Sequence, residues 1–168
     1  AVVSRNYRAE EHENNSVSKQ SFSMKVVDGH QLYLCQARRV IEVELAGLAA
    51  ERCRPEHLLP IRQALVTWLE SRSEDDEQAY LYADSRFHLG IAKMAGNPVL
   101  TAVLEQCLRQ QLMWECSVPE TEADRQNMET IHQEIYDALS RRDSQLARAA
   151  MTRHMQKLEC NIQTMLLD

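Results

Sequence analysis

The sequence predicts an all-α protein, an antiparallel bundle of helices around one core. Glycine and proline number only four each among 168 residues, too few for a design built on strands and tight turns. Apolar residues recur at three- and four-residue steps over long stretches, which is the period of a helix buried along one face. No alternating strand pattern interrupts them.

The first helix opens near Gln31, where Leu34, Ala37, Ile41, Leu45, Leu48 and Ala49 form a stripe that stops at Arg54-Pro55. Pro55 suits a first-turn position, where an amide N–H would have no partner anyway. It opens a second helix through Leu59, Ile61, Leu65 and Leu69, which runs out in Ser73-Glu74-Asp75-Asp76. Those acids favour the positive end of a third helix, from about Asp75 to Ala95. In Gly96-Asn97-Pro98, glycine supplies a left-handed stop, asparagine a cap and proline the next first turn. A fourth helix continues to about Cys116, before Val118-Pro119, with Leu100, Val103, Leu104, Cys107, Leu108 and Leu112 on one side. The fifth spans roughly Glu122 to Ser140 with Met128, Ile131, Ile135 and Leu139 as its stripe. The sixth spans about Asp143 to Leu166 with Ala147, Met151, Leu158, Ile162 and Met165. Residues 1–28, rich in Asn, Ser, Glu and Arg and without a hydrophobic period, are expected to be a flexible arm or interdomain linker ahead of a helical domain at 29–168.

Composition narrows the function classes. Nineteen Lys and Arg against 25 Asp and Glu give a net charge of −6, the wrong sign for a chain that itself grips a phosphate backbone. The five cysteines, at 35, 53, 107, 116 and 160, are odd in number and widely spaced. They read as reduced core residues of a cytoplasmic protein, not as a disulfide framework. No stretch approaches the roughly 18 apolar residues of a membrane span, and the polar start AVVSRNYRAEEHENNSVSKQ lacks the apolar region of a signal peptide. A soluble protein with no membrane partner is expected.

Four polar residues stand out because they fall on apolar faces. Asp84 and His88 are four apart on the third helix, in one row with Tyr80, Ile91 and Ala95. A buried carboxylate without a partner costs on the order of several kcal/mol, so a partner is implied. His132 lies between Met128 and Ile135, and His154 between Met151 and Leu158. The turn between these two helices centres near Arg142-Asp143, eleven residues after His132 and eleven before His154. Residues equidistant from the turn of an antiparallel hairpin lie at one height. A lone histidine on an apolar face is more often a satisfied core residue, but four such residues at matching positions favour a shared site. Three imidazoles and a carboxylate would suit a first-row transition metal, zinc foremost, with nickel, manganese or iron as options, and would leave positions open for an oxygen ligand. His12, His30 and His57 have no inward partner at matching height.

The segment Asp84-Ser85-Arg86-Phe87-His88-Leu89, followed by Ile91-Ala92 and Gly96-Asn97, resembles the signature of the FCD domain, the effector domain of the FadR subfamily of GntR transcriptional regulators. Arg38-Arg39-Val40-Ile41-Glu42 with Ala46 and Leu48-Ala49-Ala50 resembles that domain's opening helix. His132 to Ala138 and Ala147 to His154 resemble its closing pair. The resemblance covers about residues 31 to 165 in the right order. It implies a bundle of six or seven helices enclosing a metal and ligand cavity, with Asp84, His88, His132 and His154 as metal ligands and a small organic acid as effector. It also implies that Arg38 meets the acid's carboxylate, a role to which a planar guanidinium is suited by its paired donors. Further implications are a homodimer and DNA binding through a winged helix-turn-helix domain that residues 1–30 are too short to hold, so that the chain reads as the effector part of a longer regulator.

Two rival functions follow from the residues. A metal-dependent hydrolase would need a general base or nucleophile beside the four ligands, and Glu134 and Asp137 fall away from the histidine face. A metal-free helical interaction domain would satisfy the same histidines by hydrogen bonds alone. A sensor without enzymatic activity is the expectation.

Overall fold

Helix α1 (His30–Arg52) lies at the centre of the bundle in a computed structural model, packed on α3 (Glu77–Ala95), α4 (Pro98–Leu112), α5 (Glu122–Ser140) and α6 (Ser144–Met165). Helix α2 (Pro55–Ser73) packs on α3 and α5. The structure describes residues 30–73, 77–112 and 121–167, all in helices or short connections between them. The expected arm at 1–28, the acids Asp75 and Asp76, and the end of the fourth helix at Cys116 lie outside the described residues.

Small residues explain why α1 can be central. Ala46, Gly47, Ala49 and Ala50 are all buried, and their size lets neighbouring helices approach closely. The stripe on this helix is rotated by about one position from the one expected. Ala37 is exposed and Ile41 only partly buried, while Leu34, Arg38, Glu42, Leu45 and Ala49 form the inward row. Hydrophobicity alone mis-set the phase because two of the five inward residues carry charge. The stripe of α5 holds, with Met128, Ile131, Ile135 and Leu139 buried; on α6, Ala147, Met151 and Ile162 are buried and Leu158 and Met165 partly so. On α2 the inward face is Ile61, Ala64, Leu65 and Trp68, whereas Leu59 is exposed. Val103 and Leu112 of α4 are likewise exposed. His57, beside Glu56 in the first turn of α2, is partly buried.

Connections are fixed by local chemistry. Gly96 sits at φ 63°, and the next helix is capped by Asn97, whose Oδ1 accepts from the Leu100 N–H at 3.1 Å. The Thr101 hydroxyl donates to the Ala92 carbonyl at 3.1 Å, tying the start of α4 to the last turn of α3. Between α5 and α6, Arg142 adopts φ 58° and its Nη2 donates to the Glu51 carbonyl at 2.9 Å, closing off the end of α1. The Asp143 side chain then accepts from the Leu146 N–H and opens α6. This short turn makes α5 and α6 an antiparallel hairpin. At the other end of α5, Thr121 and Asp124 form a reciprocal capping box, and Asp124 also pairs with Lys157 of α6.

Two stability outcomes follow. A non-glycine residue in the left-handed region costs about 1–2 kcal/mol, so Gly96→Ala is expected to lose about 1 kcal/mol in urea unfolding; an unchanged midpoint would contradict the stop assigned to Gly96. Hydrogen bonds from Lys157 and Thr121 hold Asp124 down at about 2 from its ordinary 3.8. A depressed acid stabilises the fold above its unfolded-state value and loses that contribution as pH falls through its folded-state value. The stability gap between wild type and Asp124→Asn is therefore expected to be constant above about pH 5 and to close between about pH 4 and pH 2.

Candidate metal centre

Asp84 and His88 come from consecutive turns of α3, His132 from α5 and His154 from α6. One ligating atom from each lies within 4.8 Å of all the others. The hairpin register accounts for the histidine pair: the His132 and His154 rings are 4.5 Å apart at 88°. The His88 ring is 4.8 Å from that of His154. All three imidazoles are about 1% exposed, while the Asp84 side chain retains 13%.

Neighbouring groups orient each ring. His132 turns Nδ1 to the Met128 carbonyl at 2.8 Å, one turn back on its own helix, which leaves Nε2 facing Asp84 Oδ1 at 3.1 Å. Trp68 stacks on the same ring at 4.3 Å and 27°, with Phe87 at 5.0 Å. His88 turns Nδ1 to Glu42 Oε2 and Nε2 to Asp84 Oδ1, the latter at 3.6 Å. Glu42 in turn accepts from Arg38 Nε at 2.7 Å, and Arg38 Nη1 donates to Gln111 Oε1 on α4. His154 differs from the others. Its ring nitrogens, like those of His88, make no hydrogen bond among the described residues, but His88 faces Glu42 and Asp84, whereas fully buried His154 faces no carboxylate as an ion pair there.

Charge follows from this arrangement. Burial pushes Asp84 toward its neutral form, but His88 and the hydrogen bond from His132 outweigh it and hold the carboxyl well below the usual range. Burial would deprotonate His88, yet Glu42 and Asp84 on either side raise it to about 9. Glu42 is likewise kept ionised against burial by Arg38 and His88. His154 is pushed well down by burial first and then by His132 and His88, which favours its neutral form, with a lone pair on one ring nitrogen.

The donor set fits a first-row transition ion. Imidazole nitrogens and carboxylate oxygens bind zinc tetrahedrally at about 2.0–2.2 Å, so closing four atoms that lie within 4.8 Å of one another takes shifts of under about 1 Å per side chain. The orphaned His154 is the feature such an ion would explain, since buried polar nitrogens are rarely left unpaired. Asp84, His88, His132 and His154 are thus brought together as the sequence suggested. Arg38 stands one residue away from this group, joined to it through Glu42. Glu134 and Asp137 do fall away: Glu134 pairs with Arg153 on the surface and Asp137 accepts from Gln133. Glu42 as the partner of His88, and Trp68 as the platform for His132, were not foreseen. The signal for Glu42 was present, because Leu34, Arg38, Glu42, Leu45 and Ala49 share one helical row; Trp68 gave none beyond its bulk.

An all-helical bundle with an Asp/His₃ constellation at its centre defines a class of small buried-site domains, and similarity to known proteins narrows it. Residues 33–157 match the FCD domain family, and the chain belongs to that family. A Bacillus subtilis protein named as the HTH-type transcriptional regulator YcbG is 29% identical over 156 residues, covering 92% of this chain and 64% of the relative. The HTH-type transcriptional repressor NanR of Salmonella newport is 30% identical over 122 residues, covering 71% of this chain and 46% of that protein. The chain thus spans between about half and two thirds of the length of these relatives. Among solved structures, Streptococcus agalactiae GntR superposes with a TM-score of 0.72 at 20% identity, over 82% of this chain and 61% of that one. E. coli McbR/YncC superposes with a TM-score of 0.70 at 18% identity, over 83% and 71%. Both confirm the helical fold. Both curated relatives are named as transcriptional regulators.

The unpaired His154 gives a direct stability test. Leaving a buried polar group unsatisfied costs about 1–3 kcal/mol, so in chelator-treated protein His154→Leu is expected to match or exceed wild type in urea unfolding. A loss of more than about 2 kcal/mol, the scale of a disrupted core, would mean that His154 has a partner in the metal-free fold.

Proposed function

We propose that this chain is the effector-sensing domain of a bacterial GntR-type transcription regulator, which binds a divalent transition metal through Asp84, His88, His132 and His154 and a small organic acid beside it. The observation that carries this reading is His154: a buried imidazole favoured in its neutral form, with neither nitrogen hydrogen-bonded among the described residues, directed at the point where the other three side chains meet. Zinc is the first expectation for the ion, with nickel, manganese and iron as alternatives. Once bound, such an ion supplies positive charge and open coordination positions suited to a carboxylate oxygen.

The residues around the site supply the rest. His132 and His88 are oriented by the Met128 carbonyl and by Glu42, which would leave Nε2 of each to hold the ion. Arg38 is assigned to the effector's carboxylate. Its guanidinium is 1% exposed and its Nη2 has no partner among the described residues, so it holds a donor in reserve. Exchange of its contact with Gln111 for a contact with the acid would link effector binding to the packing of α1 on α4. An acid that binds one arrangement of these helices better than another shifts the balance between them, and that difference in affinity sets the size of the response.

In the whole regulator, DNA binding is assigned to a winged helix-turn-helix domain outside this chain, acting in a homodimer on two-fold operators in the cytoplasm. No helix among the described residues is long and apolar enough to cross a membrane. A hydrolytic role is disfavoured because Glu42, the additional carboxylate beside the cluster among the described residues, has its two oxygens on Arg38 and His88 and none turned to a substrate.

Elemental analysis of tag-free protein, followed by thermal melts of the zinc-loaded chain with a panel of hydroxy and dicarboxylic acids, tests the proposal. One metal per chain and a rise in Tm with at least one acid are expected, both lost in Asp84→Ala/His88→Ala. Absence of metal would favour a hydrogen-bonded interaction domain, and turnover of esters, amides or phosphates would favour the hydrolase.

A further inference from the structure

The buried site contains a second carboxylate that the four-ligand arrangement does not require. Glu42 is 2% exposed and sits between two cations or potential cations: Oε1 accepts from Arg38 Nε at 2.7 Å, and Oε2 faces His88 Nδ1. A carboxylate behind a metal-bound imidazole fixes the ring and strengthens its donor nitrogen. A glutamine could not do the same for both neighbours, since its amide has one acceptor oxygen and no charge.

Glu42 also changes the charge of the site. Histidines must be neutral to ligate, so the loaded site carries two positive charges from the ion and one from Arg38, against one negative charge each from Asp84 and Glu42. One positive charge remains. With no carboxylate at position 42 there would be two. Uncompensated charge is costly in a buried setting, and the residue at position 42 therefore decides what anion brings the site to neutrality.

Resting on the sensor reading above, we infer that Glu42 is a positioning and specificity-determining residue: it holds His88 for the metal and leaves the loaded site with a single positive charge, so that the effector is a monocarboxylate. Dicarboxylates of the same backbone would leave the site negative and bind less well.

The test uses zinc-loaded protein and acids matched except for one carboxylate, lactate against malate and butyrate against succinate. In wild type the monocarboxylate of each pair is expected to raise Tm more at equal concentration. In Glu42→Gln the order is expected to reverse, and competition against a chromophoric chelator to show zinc affinity reduced roughly ten- to a hundredfold. Glu42→Asp keeps the charge and shortens the reach, so it should keep the wild-type order while losing part of the zinc affinity; a purely structural role would not separate the two readouts. Preference for the dicarboxylates in wild type overturns the inference even if Glu42→Gln fails to fold. So does a Glu42→Gln protein with unchanged order and unchanged zinc affinity. If zinc binds but no acid of either charge shifts Tm, the carboxylate reading fails and charge selection falls with it, whereas the hold on His88 is still judged by the zinc competition.

Discussion

A charged cluster at the centre of a small helical bundle constrains everything around it. Gln111, Arg38, Glu42, His88, Asp84, His132 and the Met128 carbonyl form one continuous chain of polar contacts, drawn from α4, α1, α3 and α5. In a medium of low dielectric each contact is stronger than in water, and each unpaired member is correspondingly expensive. Such a chain works as a unit. It fixes the rotation of α1, because Arg38 and Glu42 must face inward, and it fixes the height of α3 against α5, because Asp84 must reach His132. Trp68 and Phe87, both fully buried, then pack against its histidine rings.

His154 completes the geometry from α6 without completing the hydrogen bonding. Evolution of a core for stability alone would fill that position with an apolar side chain, as it does at Met151 and Met155 on the same helix. The arrangement thus departs from the usual satisfaction of buried polar groups at the place where four ligating atoms meet. A metal ion held at this place, as proposed, would account for such a departure.

Much of this was legible in the sequence. The α3–α4 corner was written in Gly96-Asn97-Pro98, and the α5–α6 turn placed His132 and His154 level because each is eleven residues from Asp143. Asp84 and His88 were visible as polar residues in an apolar row. Less legible was the phase of α1, since an inward Arg38 and Glu42 look like a solvent-exposed pair four residues apart until the apolar neighbours in their row are counted. The exposed Leu59 and Val103 misled in the opposite direction, being apolar residues on an outer face. Trp68 could not be assigned to His132 because stacking depends on how α2 lies against α5, a tertiary relation that local periodicity does not encode.

The site and the scaffold are the same object in this domain. Arg38 reaches α4 through Gln111, and a ligand drawing on its free donor would act on the helix at the centre of the bundle. The central claim is that three imidazoles and one carboxylate hold a metal ion here. X-ray absorption at the metal edge of tag-free protein tests it most directly. One ion per chain, with three histidine rings and oxygen in its coordination shell, is the expected result; a shell containing cysteine sulfur, or fewer than three imidazoles, would contradict it.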